Sequence, residues 1–155
     1  RTELQIVIYE PEIPWNTGNI GRTCVATGAA LHLIKPLGFR ISGREIRRAG
    51  LDYWPKLKLF IHENLAAFLD CIPSGSSILV FTTKVRTSFR KAPFRKDSYL
   101  LFGRESSGLP DEVRERFSGS LYRIPMYQEA RSLNLSTAAA LALYEGLRRT
   151  GRDPQ

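Results

Sequence analysis

Short apolar, β-branched runs alternate along this chain with amphipathic ones, and that alternation limits the possible folds more than any other feature. LQIVIY (4–9), ALHLI (30–34), KLKLFI (56–61), SILVFTT (77–83), SYLLFG (98–103) and SLYRIP (120–125) have the length and composition of strands. Helix-like segments fall at 18–28, 43–49, 63–71, 110–117 and 134–149. Strands alternating with helices predict an α/β fold with a mainly parallel sheet. Several strands are apolar at nearly every position, the pattern of a sheet covered by helices on both faces. The last helix carries Leu133, Leu135, Ala138, Ala139, Leu141, Ala142, Leu143, Tyr144 and Leu147. That is more apolar surface than one packed face uses, so this helix is either central or shared with a second subunit.

A chain of 155 residues with no internal repeat or linker fits one domain, 1–155. Its 23 Lys and Arg against 15 Asp and Glu leave a formal charge of +8. Such a balance favours a polyanionic partner, nucleic acid before anionic membrane. Cys24 and Cys71 stand far apart in separate helix-like segments, which argues against a disulfide framework or a Cys-rich metal site and points to reduced cytosol. No apolar run reaches the roughly 18–20 residues of a membrane span, and the first is too short for a signal peptide. The expectation is a soluble, cytoplasmic protein.

Common chemistries are missing. No G-x-G-x-x-G or Walker loop follows a strand, and neither His32 nor His62 sits in a metal-binding or hydrolase motif. What remains is three loops, each after an apolar strand: PEIPWNTGNIGRTC (11–24), LFGRESSGLP (101–110) and IPMYQEARSLNLSTAAALALY (124–144). In the first, Asn16 or Thr17 is placed to cap the following helix, Gly18 and Gly21 allow close approach, and Arg22 lies near the positive helix end, an arrangement that invites an anion. In the second, Gly103 frees space at a strand end and Glu105 is the only acid. In the third, Ser132, Asn134, Ser136 and Thr137 crowd the entry to the last helix. Three such loops in one small domain predict one composite pocket at the carboxyl edge of the sheet.

Candidate nucleic-acid contacts lie elsewhere. Arg44, Arg47 and Arg48 fall on one helical face, and Lys84, Arg86, Arg90, Lys91, Arg95 and Lys96 line the stretch between two strands, with Phe89 and Phe94 among them. Bases stacked on those rings with phosphates held by the cations is one reading. A solvated basic face over two core phenylalanines is the other.

The three loops, in order and spacing, resemble the signature motifs of the SPOUT class of RNA methyltransferases. RRAGLDYW (47–54) and FTTK (81–84) further resemble the subfamily that methylates the ribose 2′-hydroxyl of the tRNA wobble cytidine or modified uridine. The resemblance implies a deep C-terminal trefoil knot, an exception to the avoidance of knots. It also implies S-adenosylmethionine as cofactor, a homodimer that completes the RNA site, and the tRNA anticodon stem-loop as partner. Carried onto this chain, it places the cofactor against Phe81, Thr82, Gly103, Ile124, Met126, Ser132 and Leu133. Catalysis would involve Arg22, with Asn16, Glu105, Ser132 and Asn134 in support, and RNA would be met by Arg44, Arg47, Arg48, Lys84 and Arg86. Neither a metal nor a membrane is implied. Arg104 departs from the pattern, standing where relatives often carry proline or another uncharged residue. Methylation of another tRNA or ribosomal RNA site, and a non-catalytic RNA-binding module, are the alternative functions.

Overall fold

The computed structural model describes residues 3–50 and 52–155; Leu51, within the RRAGLDYW segment, lies outside the described residues. Six strands, β1 (Gln5–Tyr9), β2 (Ala30–Ile34), β3 (Leu59–His62), β4 (Ile78–Phe81), β5 (Tyr99–Phe102) and β6 (Leu121–Tyr122), form one parallel sheet in the order β3-β2-β1-β5-β4-β6. Helices α1 (Pro14–Thr27), α2 (Arg44–Gly50), α3 (Leu65–Cys71), α4 (Asp111–Arg116) and α5 (Leu135–Arg149) connect or follow them.

Alternate residues of each strand feed opposite faces. Ile6, Ile8, Leu31, Leu33, Leu100 and Phe102 join Ile20 and Cys24 of α1 and Leu143 and Leu147 of α5 in one core. Val7, Ile34, Val80 and Leu101 pack with Phe68 of α3 and Val113 of α4 in the other. Two buried layers explain why these strands read as continuous apolar runs.

Elements depart from expectation at their ends. Helix α1 begins at Pro14 rather than residue 18, with proline in the first turn and no side-chain cap on Ile13. A proline's fixed φ and missing N–H suit that position. Asn16 and Thr17 are therefore buried inside the first turn and cap nothing. The run KLKLFI yields a strand only from Leu59, because Trp54–Lys56 form a 3₁₀ turn, and the strand runs on to His62. Edge strand β6 keeps two residues, since only β4 pairs with it. No helix among the described residues is long and apolar enough to cross a membrane.

Helix α5 resolves the two readings of its broad apolar surface. Leu143 is 0% exposed and belongs to the core, whereas Leu141 and Tyr144 are 45% exposed on the other side. Gly146 lets Phe94 close against the helix: a Cβ there would come within 2.8 Å of the phenyl ring and 2.9 Å of Leu4. Phe89 is buried in the same core. The two phenylalanines are therefore core residues, and the stacking reading is set aside.

Candidate active site

Parallel strands place all their carboxyl ends on one side, and there the three loops meet. A cavity of about 560 Å³ opens at the ends of β4, β5 and β6. Phe81 and Phe102, adjacent in register, stack with centroids 4.9 Å apart at these strand ends. Ile124, Met126 and Leu133 add apolar wall, and Thr82, Gly103 and Ser132 complete the seven residues assigned to a cofactor, all of which line this cavity. Asn16, Glu105 and Asn134 line it as well. A second cavity, about 490 Å³, lies at the opposite end of the sheet, away from all three loops.

Hydrogen bonds tie the loops together. Asn134 accepts at Oδ1 from the backbone N–H groups of Ser136 (2.9 Å) and Thr137 (3.3 Å), capping α5. Its Nδ2 donates to Asn16 Oδ1 at 3.1 Å, and Asn16 Nδ2 donates to Glu105 Oε2 at 3.3 Å. Glu105 also accepts from the N–H groups of Glu12 (2.8 Å) and Ile13 (3.0 Å), just before α1. The anion invited by the positive end of α1 is thus a carboxylate of the protein itself. Glu105, which the resemblance sets among the catalytic residues, stands in the structure as the clasp between two loops.

The clasp is reciprocal. Ser106 donates to Glu12 through its N–H (2.9 Å) and its hydroxyl (3.0 Å). Those two bonds, backbone first, hold the Glu12 carboxyl below the usual carboxylate range. Arg104 turns toward β1, with its guanidinium 5.4 Å from the Tyr9 ring centroid and Nε 3.7 Å from Glu10. Gly103 has a different reason to be glycine than the one expected. A Cβ there would fall 2.4 Å from the Gly108 carbonyl carbon and 2.5 Å from Leu109 N, so it would strike the loop's own backbone.

Arg22 does not line the cavity. It is exposed on the outer side of α1, its guanidinium 4.8 Å above the centroid of Tyr53. Gly21 faces Trp54 and Leu57, which a Cβ would meet at 3.1 and 3.2 Å. Arg44, Arg47 and Arg48 are exposed on α2, and Lys84 and Arg86 are exposed beyond β4, with Lys84 also reaching the cavity. None of these five has a carboxylate partner among the described residues. Arg90 and Arg95, by contrast, pair with Glu145 (3.6 Å) and Asp97 (3.4 Å). Sequence reasoning missed Glu12, Ser106 and Tyr53. Glu12 and Ser106 are 94 residues apart, and no periodicity or spacing connects them.

The model of the SpoU rRNA Methylase family matches residues 3–144. A tRNA (cytidine(34)-2′-O)-methyltransferase of Methylovorus glucosotrophus is 44% identical over 144 residues, 92% of this chain and 93% of its own. A solved structure described as giving insight into the 2-OH methylation of C/U34 on tRNA superposes with a TM-score of 0.91 at 48% identity, covering 96% of both chains. An AdoMet-bound rRNA methyltransferase from Sinorhizobium meliloti, 28% identical, superposes at 0.85 over 95% of this chain and 56% of that longer one.

Proposed function

The chain belongs to the SpoU rRNA methylase family, and from that premise we propose that it methylates the ribose 2′-hydroxyl of the wobble nucleotide, cytidine or uridine 34, of tRNA, using S-adenosylmethionine. The observation that carries this reading is the convergence of all three motif loops on one 560 Å³ cavity at the carboxyl edge of the sheet. The lining fits the cofactor. Phe81, Ile124, Met126 and Leu133 offer an apolar wall for a purine, and the hydroxyls of Thr82 and Ser132 offer polar contacts. When bound, S-adenosylmethionine supplies an electrophilic sulfonium methyl.

The chain's own residues supply alignment and charge. The Asn134–Asn16–Glu105 chain holds the loops at fixed separation, which an in-line displacement needs. Arg22 stabilises the developing 2′-alkoxide as a cation. A guanidinium holds its proton so firmly at neutral pH that a general-base role is unfavourable. The ribose proton leaves to an RNA phosphate or to water.

Because Arg22 lies outside its own cavity, the reading requires a homodimer in which it serves the partner's cavity. Trp15 on α1 and Leu141 and Tyr144 on α5, each 45% exposed on two helices that pack together, supply the apolar face for that dimer. Arg44, Arg47, Arg48, Lys84 and Arg86 hold anticodon stem-loop phosphates. The chain between β6 and α5 threads as a trefoil knot, and the enzyme works in the cytoplasm.

The test is direct. Purified protein, S-adenosylmethionine and tRNA lacking the wobble methyl should yield 2′-O-methylation at nucleotide 34, and Arg22→Ala should lower turnover by about a hundredfold or more with cofactor affinity unchanged. Methylation at another nucleotide would reassign the substrate. Cofactor binding without any methylation would leave the RNA-binding module. In sedimentation, wild type should run as a dimer, and Leu141→Glu should run as a folded monomer because its charge meets an apolar interface. A wild-type monomer with full activity would end the two-subunit site.

A further inference from the structure

Arg22 is exposed, yet its guanidinium has a fixed companion, the ring of Tyr53 at 4.8 Å. Among the described residues it has no carboxylate partner, although Arg90, Arg95 and Arg104 all do. The difference is chemical. A carboxylate takes up the in-plane N–H fork and neutralises the charge, whereas an aromatic face meets the flat side of the guanidinium and leaves that fork free.

Tyr53 is itself held in place. Its carbonyl accepts from Lys56 N–H at 2.9 Å, closing the 3₁₀ turn, and the next residue, Trp54, packs closely on α1: a Cβ on Gly21 would meet its ring at 3.1 Å, a tight contact. Gly21 precedes Arg22, so the contact that docks the turn also sets the ring beside the arginine. The segment entering this turn comes from α2, with exposed Arg44, Arg47 and Arg48. The turn therefore joins the basic helix to Arg22.

Resting on the role given to Arg22 above, we propose that Tyr53 is a positioning residue for the methyl-transfer reaction. Its ring restricts the rotamers of Arg22 and presents the free N–H fork to the RNA ribose–phosphate, so that ordering this long side chain is not left to the reacting complex. The ring face performs this task, and the phenol hydroxyl takes no part.

Turnover and affinity separate the possibilities. Tyr53→Phe should stay within about twofold of wild type, and Tyr53→Leu should lower kcat about tenfold with KM for tRNA and Kd for S-adenosylmethionine held within about twofold. In an Arg22→Ala background, Tyr53→Leu should have no further effect, since a residue acting through another is silent without it. By NMR, the Arg22 Cδ protons should lose their ring-current shift in Tyr53→Leu and keep it in Tyr53→Phe. Equal losses for Phe and Leu, or a Leu loss that persists in the Arg22→Ala background, would overturn the proposal. Full activity of Tyr53→Leu beside an inactive Arg22→Ala would overturn the positioning role alone. Full activity of Arg22→Ala would overturn both it and the role of Arg22.

Discussion

Two chains of hydrogen-bonded side chains run through this molecule, and their surroundings give them different work. Asn134, Asn16 and Glu105 link three loops at the wall of an open cavity. Gln5, His32 and His62 link three neighbouring strands on one sheet face, with His32 Nε2 2.5 Å from Gln5 Oε1 and His32 Nδ1 2.9 Å from His62 Nε2. Phe60, Phe68 and Tyr99 surround that second chain with rings. The first fastens loop to loop beside open space. The second lines neither of the two cavities described, and its polarity links strand to strand. Histidine and asparagine networks look alike in sequence; what differs is whether space opens beside them.

The largest effect separating the two comes from acid. Burial, with the neighbouring His62 second, pushes the His32 imidazole down to about 4. Its folded pKa lies below the unfolded value near 6.5, so the unfolded chain binds more protons in between. Stability is complete above about pH 6.5 and falls as pH drops toward 4, by about 3 kcal/mol for this group. Urea titrations from pH 7 to pH 4.5 should show the loss, and His32→Leu should flatten the profile whatever it does to absolute stability. A wild-type profile flat across that window would mean the histidine pair is solvated and the contrast with the cavity network is false.

A smaller effect probes the loop that carries Glu105. Gly103→Ala places a Cβ 2.4 Å from backbone of the same loop, so the turn must open and shift Glu105 and Ser106 against α1. Affinity for S-adenosylmethionine, by calorimetry, should fall about tenfold or more, since ligand sites depend on preorganised loops. Unchanged affinity would show that the cavity tolerates a displaced second loop.

The contrast also marks what sequence can carry. The alternation of apolar runs is a local signal, and it located all six strands and five helices to within a few residues. Ends strayed where a local rule met a tertiary one. Pro14 admitted a helix start four residues before Gly18, and Trp54 docking on Gly21 drew Lys56 out of β3. The cavity-lining residues were legible through motif resemblance, because each motif holds its own piece of wall. Partnerships were not. Glu105 reaches Glu12 across 93 residues, and Arg22 finds Tyr53 only once the 3₁₀ turn is packed on α1. Neither spacing has a period, so neither leaves a trace in one sequence.

The smallest expected effect distinguishes the two jobs of Asn134, which caps α5 with one atom and joins the loop network with another. Asn134→Asp keeps the Oδ1 acceptor for Ser136 and Thr137 and adds negative charge at a helix N-terminus, which is neutral to favourable. Thermal stability should therefore change by no more than about 0.5 kcal/mol, against a loss of about 1 kcal/mol for Asn134→Ala, which removes the cap. The network fares differently. The introduced carboxylate has no N–H to donate to Asn16 Oδ1, and the Asn16 amide would then stand between it and the Glu105 carboxylate with one NH₂ to offer them both. Turnover should fall in Asn134→Asp while the melting temperature holds, a split that a purely structural Asn134 does not produce. If methylation rate and melting temperature move together in both variants, the three-loop chain is a folding device like the histidine chain, and the distinction between the two networks collapses.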